Sequence, residues 1–115
     1  MIEVDRVAEK IEKGSGFREL VFSPKEIEYC ESKAHKYEHY AVRFAAKEAF
    51  LKAIGTGWKN GTAFNEIEIL NDEHGKPIMT LEGETAITLK PMEIHSIQVS
   101  LSHLKSIASA VVLVE

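Results

Sequence analysis

The chain has 115 residues and a net charge of −4, with 44% hydrophobic and 28% charged residues. That is the size of one domain with its own core, the composition excludes a disordered or fibrous chain, and the acidic excess argues against a nucleic-acid binder. Any anion site must therefore be local and built against the overall charge.

The longest apolar run, AVVLV at 110–114, is far too short to cross a bilayer. The start, MIEVD, has neither the basic residues nor the hydrophobic stretch of a signal peptide. The expected location is the cytoplasm. Cys30 is the only cysteine, so no internal disulfide can form, and nothing local to it argues for a reactive thiol.

Residues 4–14, VDRVAEKIEKG, place Val4, Val7, Ala8 and Ile11 on one helical face, with Gly14 as a stop. FSPKE at 22–26 starts a second helix. Ser23 caps, Pro24 suits the first helical position and Glu26 completes a capping box, and the helix is expected to reach about His35. KYEHY then leads into a central helix over roughly 38–54, closed by Gly55. After the glycine-rich GTGWKNGTA the period changes. FNEIEIL (64–70) and IMTLEG (78–83) read as paired strands around the turn NDEHGKP. ETAITLKPM stays open between a short helix and an irregular link before Pro91. SIQVSLSH (96–103) alternates cleanly, and SIASAVVLVE (106–115) is its hairpin partner. Helices first and antiparallel strands afterwards make the class α+β, with the N-terminal helices packed on a C-terminal antiparallel sheet.

The central helix holds the chemistry. From Ala41 to Ile54 there are ten apolar residues and four charges: Arg43, Lys47, Glu48 and Lys52. Tyr40, Phe44, Phe50, Leu51 and Ile54 form a bulky arc and alanines cover most of the rest, so the helix is packed on most sides. Glu48 and Lys52 are four apart, as are Arg43 and Lys47 on another azimuth. Glu48–Lys52 is either an ordinary surface pair, worth about 0.3–0.5 kcal/mol, or part of a site. A rigidly held carboxylate can bind Mg²⁺ together with phosphate oxygens, and nearby cations can clamp phosphate. The glycines that follow do not make a P-loop, because the Walker spacing is absent and a helix precedes them.

Two other candidates carry less. His103 at the end of SLSH is either a turn histidine or an anion donor and proton carrier; no nucleophile elbow accompanies Ser100 and Ser102. His35 and His39 have a zinc spacing, but no cysteine or third histidine sits nearby in the sequence.

FSPKEIEYC, RFAAKEAFLKAIGTG, FNEIEILNDEHGKP and QVSLSH, in this order, resemble the holo-acyl-carrier-protein synthases, the short 4′-phosphopantetheinyl transferases. The resemblance covers nearly the whole chain. It implies Mg²⁺-dependent transfer of the 4′-phosphopantetheine arm from coenzyme A to a serine of an acyl carrier protein, in support of fatty acid synthesis. Adenosine 3′,5′-bisphosphate is the other product. By resemblance Glu48 is the metal ligand and catalytic carboxylate. Lys52 steadies the pyrophosphate and is a candidate to protonate the leaving group. Arg43, Lys47, Gly55, Gly57 and His103 are coenzyme A-binding positions, and Arg6, Lys10 and Arg18 a basic face for the carrier. The resemblance also implies a homotrimer with active sites between subunits. The family has a glycine-rich first strand ending in an aspartate, the second metal ligand. By register that aspartate falls just before Met1, and Asp5, on the first helix, does not replace it. The expectation is therefore a single domain over 1–115 that lacks the first strand, with Met1 an internal methionine and a Gly-x-Gly-x-Asp-like strand encoded upstream. The alternative is an impaired module that binds coenzyme A or carrier protein on the same scaffold. The chain as it stands is expected to hold Mg²⁺ weakly and to transfer the arm poorly.

Overall fold

The computed structural model describes residues 1–55 and 61–115. A two-residue strand β1 (Ile2–Glu3) runs directly into α1 (Val4–Glu12), followed by α2 (Phe17–Val21), α3 (Pro24–Glu31) and the long α4 (Lys36–Ala53). The second half supplies β2 (Ile67–Asn71), β3 (Pro77–Leu81), α5 (Gly83–Leu89), β4 (Ile97–His103) and β5 (Ile107–Val114). This is the α+β arrangement read from the sequence.

β4 and β5 form an antiparallel hairpin in register from Ile97↔Val114 to His103↔Ala108. Ile2 and Glu3, leading into α1, form a short third strand that the sequence reading did not assign, pairing with Ala108 and Ile107 of β5. β2 and β3 form a separate antiparallel pair. Asp72 closes their turn by accepting from the backbone N–H of His74 and Lys76, and Gly75 supplies the left-handed residue (φ 82°).

α4 lies between two apolar clusters. Tyr40, Ala41 and Val42 pack with Val4, Val7, Phe22, Cys30 and Ala108. One turn further on, Ala46, Phe50 and Leu51 pack with Ile67, Ile69, Met79 and Leu89. Strand alternation aims Ile97, Val99 and Leu101 at this helix and leaves Gln98, Ser100 and Ser102 outside. On β5 three of the outward positions, Ile107, Val111 and Leu113, are apolar and exposed. Cys30 is fully buried, and desolvation pushes its thiol up to about 12. Among the described residues no helix is long and apolar enough to cross a membrane.

Several boundaries differ from expectation. α3 stops at Glu31, where the Ser32 hydroxyl donates to the carbonyl of Tyr29 and competes with helical bonding. α4 begins at Lys36, ahead of residue 38. α2 was not anticipated, because one helical turn is too short to show a period. Residues 64–66 form a 3₁₀ turn rather than strand, and the Glu66 carboxylate there accepts from the N–H of Glu84 and Thr85 at the start of α5.

Candidate active site

The four charges of α4 have different surroundings. Arg43 and Lys47 are buried, at 1% and 0% exposure. Glu48 is half-buried and Lys52 exposed.

Lys47 is fully committed inside the protein. Its Nζ donates to Glu26 Oε1 at 2.6 Å and to the carbonyls of Val21 and Phe64 at 2.6 and 2.9 Å. An ammonium has three protons, so none is left for a ligand. Burial lowers the Lys47 pKa, and Glu26 opposes that shift. The expectation that Lys47 contacts coenzyme A is corrected accordingly. Glu26 reaches further than its capping box: Oε1 also accepts from Ser23 N–H and Oε2 from Ile69 N–H. That carboxylate thus ties together α3, α4 and β2, and Lys47 adds α2 through the Val21 carbonyl, a role the sequence reading missed.

Glu48 has no such partners. Among the described residues neither Glu48 nor Lys52 takes part in an ion pair, which removes the surface-pair reading. Glu48 lines a cavity of about 250 Å³ together with Arg6, Lys10 and Phe44. Glu3 lines it too and was given no role in the sequence reading; its carboxylate sits 4.0 Å from Arg6. Arg6 and Lys10, expected as part of a carrier-docking face, are thus brought beside Glu48. Arg18 is turned instead to Glu19 and Glu31, at 2.8 and 3.4 Å.

Arg43 lines a second cavity, of about 310 Å³, with Tyr29, His39, Asn71, Ser100 and His103. The guanidinium donates to the carbonyls of Ile69 and His39 and to Asn71 Oδ1, and its carbon lies 4.5 Å above the Tyr29 ring. These bonds use three of its five N–H groups and leave two for the cavity. His103 Nδ1 lies 2.8 Å from Glu38 Oε1. Burial, with His103, Arg43 and Lys33 nearby, lowers the His39 pKa to about 4, Glu38 opposing. Arg43 and His103, far apart in sequence, thus line one cavity. His39 packs between Tyr29 and His103 while His35 is exposed, and no cluster of three metal-ligating side chains exists among the described residues. Gly55 ends α4 with φ 75°. Gly57 lies outside the described residues.

Arg43 and Glu48 are five residues apart, about 140° around and about 7.5 Å along the helix. They consequently open onto different sides of α4.

Comparison with known proteins places this arrangement. Residues 2–111 match the family described as the 4′-phosphopantetheinyl transferase superfamily. The holo-acyl-carrier-protein synthase of Cytophaga hutchinsonii is 50% identical over 115 residues, covering 98% of this chain and 91% of the relative. That of Ruminiclostridium cellulolyticum is 52% identical over 112 residues, covering 96% and 84%. Among solved structures, the Neisseria meningitidis holo-acyl-carrier-protein synthase superposes with a TM-score of 0.89 at 30% identity, covering 99% of this chain and 92% of that one. The Helicobacter pylori enzyme in complex with coenzyme A gives 0.85 at 30% identity, covering 99% and 95%. This chain accordingly belongs to the 4′-phosphopantetheinyl transferase superfamily, among the holo-acyl-carrier-protein synthases.

Proposed function

We propose that the chain transfers the 4′-phosphopantetheine arm of coenzyme A to a serine hydroxyl of an acyl carrier protein, in the cytoplasm and in support of fatty acid synthesis. The observation that carries the reading is Glu48. A carboxylate on an otherwise packed helix faces a cavity, without an ionic partner among the described residues and beside two cationic side chains. Such a group fits one ligand of Mg²⁺, which takes one or two protein carboxylates and completes its shell with phosphate oxygens and water. When bound, Mg²⁺ supplies charge neutralisation on the pyrophosphate. Lys52, one turn beyond Glu48 and without an ion pair among the described residues, suits the same phosphates.

In the transfer, the serine oxygen bonds to the phosphorus that carries the arm. The bond from that phosphorus to the bridging oxygen breaks, adenosine 3′,5′-bisphosphate departs with that oxygen, and the serine proton is released. Alignment and charge neutralisation provide most of the rate in such displacements. Coenzyme A has a second anionic centre, its 3′-phosphate. The Arg43–His103 cavity, with donors on two sides, suits that phosphate.

Arg43 and Glu48 open onto different sides of one helix, so a single coenzyme A is best served when neighbouring copies each contribute one half. The apolar outer positions of β5, Ile107, Val111 and Leu113, support association of copies into the trimer. Arg6 and Lys10 give an acidic carrier protein a cationic approach to Glu48.

The test is mass spectrometry of an apo carrier protein incubated with the chain, coenzyme A and Mg²⁺. A mass gain of one phosphopantetheine arm is expected, lost with Glu48→Ala or with chelation of the metal. Binding of coenzyme A without any transfer would point instead to a binding module. Light scattering that shows only monomers would remove the two-copy site.

A further inference from the structure

β4 carries His103 on the same face as Val99 and Leu101, so its ring lies over the first turns of α4. There it is held on two sides. Glu38 Oε1 lies 2.8 Å from Nδ1, and the His39 ring packs against it with centroids 5.0 Å apart. Glu38 is itself largely enclosed, its side chain only 15% exposed, and its other oxygen is 3.9 Å from the exposed His35. A carboxylate accepts only, so the Nδ1–Glu38 contact requires the proton to be on Nδ1. Nε2 is then the ring nitrogen left for the cavity shared with Arg43, Asn71 and Ser100.

We propose that Glu38 is the positioning residue for His103: by taking the Nδ1 proton it fixes the ring and aims Nε2 at the phosphate oxygen that the Arg43 cavity receives. This rests on the reading of that cavity as part of the coenzyme A site. A ring held between a carboxylate and a phosphate donates through both nitrogens, and the Glu38 charge balances the imidazolium so formed. Without Glu38 the ring is free to rotate and to change tautomer, and the donor reaches the phosphate only part of the time. Carboxylate–imidazole pairs orient a ligating ring in the same way at metal sites. His39 stays neutral across the working range because burial holds its pKa near 4, so it supports the ring without repelling it.

Steady-state kinetics of the transfer reaction, with coenzyme A varied, test the proposal. Glu38→Ala is expected to raise KM for coenzyme A roughly tenfold or more, the scale of a lost hydrogen bond to a charged group, and to leave kcat little changed. Glu38→Gln keeps an acceptor for Nδ1–H and should return KM close to that of the unaltered enzyme. His103→Ala should raise KM by a similar factor, and adding Glu38→Ala to it should raise it no further. If His103→Ala alone leaves KM unchanged, the reading of the cavity falls. If His103→Ala raises KM while Glu38→Ala does not, or the two effects multiply, only the positioning role falls. Nitrogen-15 NMR of the free, unaltered enzyme at alkaline pH decides independently of how the variants fold. A neutral His103 with its proton on Nδ1 is expected, and a proton predominantly on Nε2 would overturn the assignment.

Discussion

Glu26 and Glu48 contribute carboxylates to opposite ends of the same question. Glu26 is fully buried and accepts from an ammonium and two backbone amides. Glu48, next in sequence to the lysine that Glu26 holds, is half-buried and has no partner among the described residues. The satisfied carboxylate joins segments of the fold. The unsatisfied one has capacity left for a ligand. Composition cannot distinguish them; only the count of donors within reach can.

The largest effect that would break this contrast is on catalysis. Glu48→Ala should bring transfer below detection, yet change stability by no more than about 0.5 kcal/mol, as for other side chains without partners. A melting temperature that drops sharply would show Glu48 to be structural after all. Glu26→Ala should behave in the reverse way. It leaves Lys47 as a buried, unbalanced charge and should cost about 3–5 kcal/mol in denaturant unfolding, while any enzyme that remains folded keeps its response to Mg²⁺. The double change Glu26→Leu with Lys47→Met sharpens the point. Replacing a buried pair by apolar groups is often nearly neutral, but here the amides of Ser23 and Ile69 would lose Glu26 and the carbonyl of Val21 would lose Lys47. The double variant should therefore recover only part of the lost stability, and full recovery would show those backbone groups to be satisfied by water.

The smallest effect concerns the second cavity. The pKa of His39 is about 4 in the folded chain, below its ordinary value near 6.5. Above about pH 6.5 the ring is neutral folded or unfolded and has no effect. As pH falls from there toward 4, the unfolded chain takes the proton first and stability is progressively lost. With allowance for the partly solvated ring, the loss is on the order of 1 kcal/mol. His39→Phe should flatten the melting temperature across that window, and an unchanged slope would assign the acid sensitivity elsewhere.

Much of this was legible locally. The S-P-K-E start of α3, the period of α4 and the alternation of β4 each lie within a few residues, and each was read correctly. What escaped depends on distance or brevity. Ser23 and Glu26 announce a capping box, but nothing local shows that Glu26 also meets Lys47 and Ile69, 21 and 43 residues away. Lys47 and Arg43, four apart on the helix, looked equivalent; packing of α2, α3 and the 64–66 turn spends every proton of Lys47, while Arg43 on β2 keeps donors to spare. FNEIEIL reads as one strand because no turn residue pair interrupts it, and only the start of α5 explains why Glu66 and its neighbours turn away. Two-residue β1 and five-residue α2 are shorter than any period that could reveal them.

The lone thiol has a practical consequence. With Cys30 sealed in the core and its ionisation displaced to about 12, alkylating reagents should reach it only when the chain opens globally, because the thiolate is the reacting form. The rate at which iodoacetamide labels the unaltered protein then becomes a stopwatch for unfolding. A cysteine introduced on the surface, for instance at Glu9, would accept a fluorophore with almost no background.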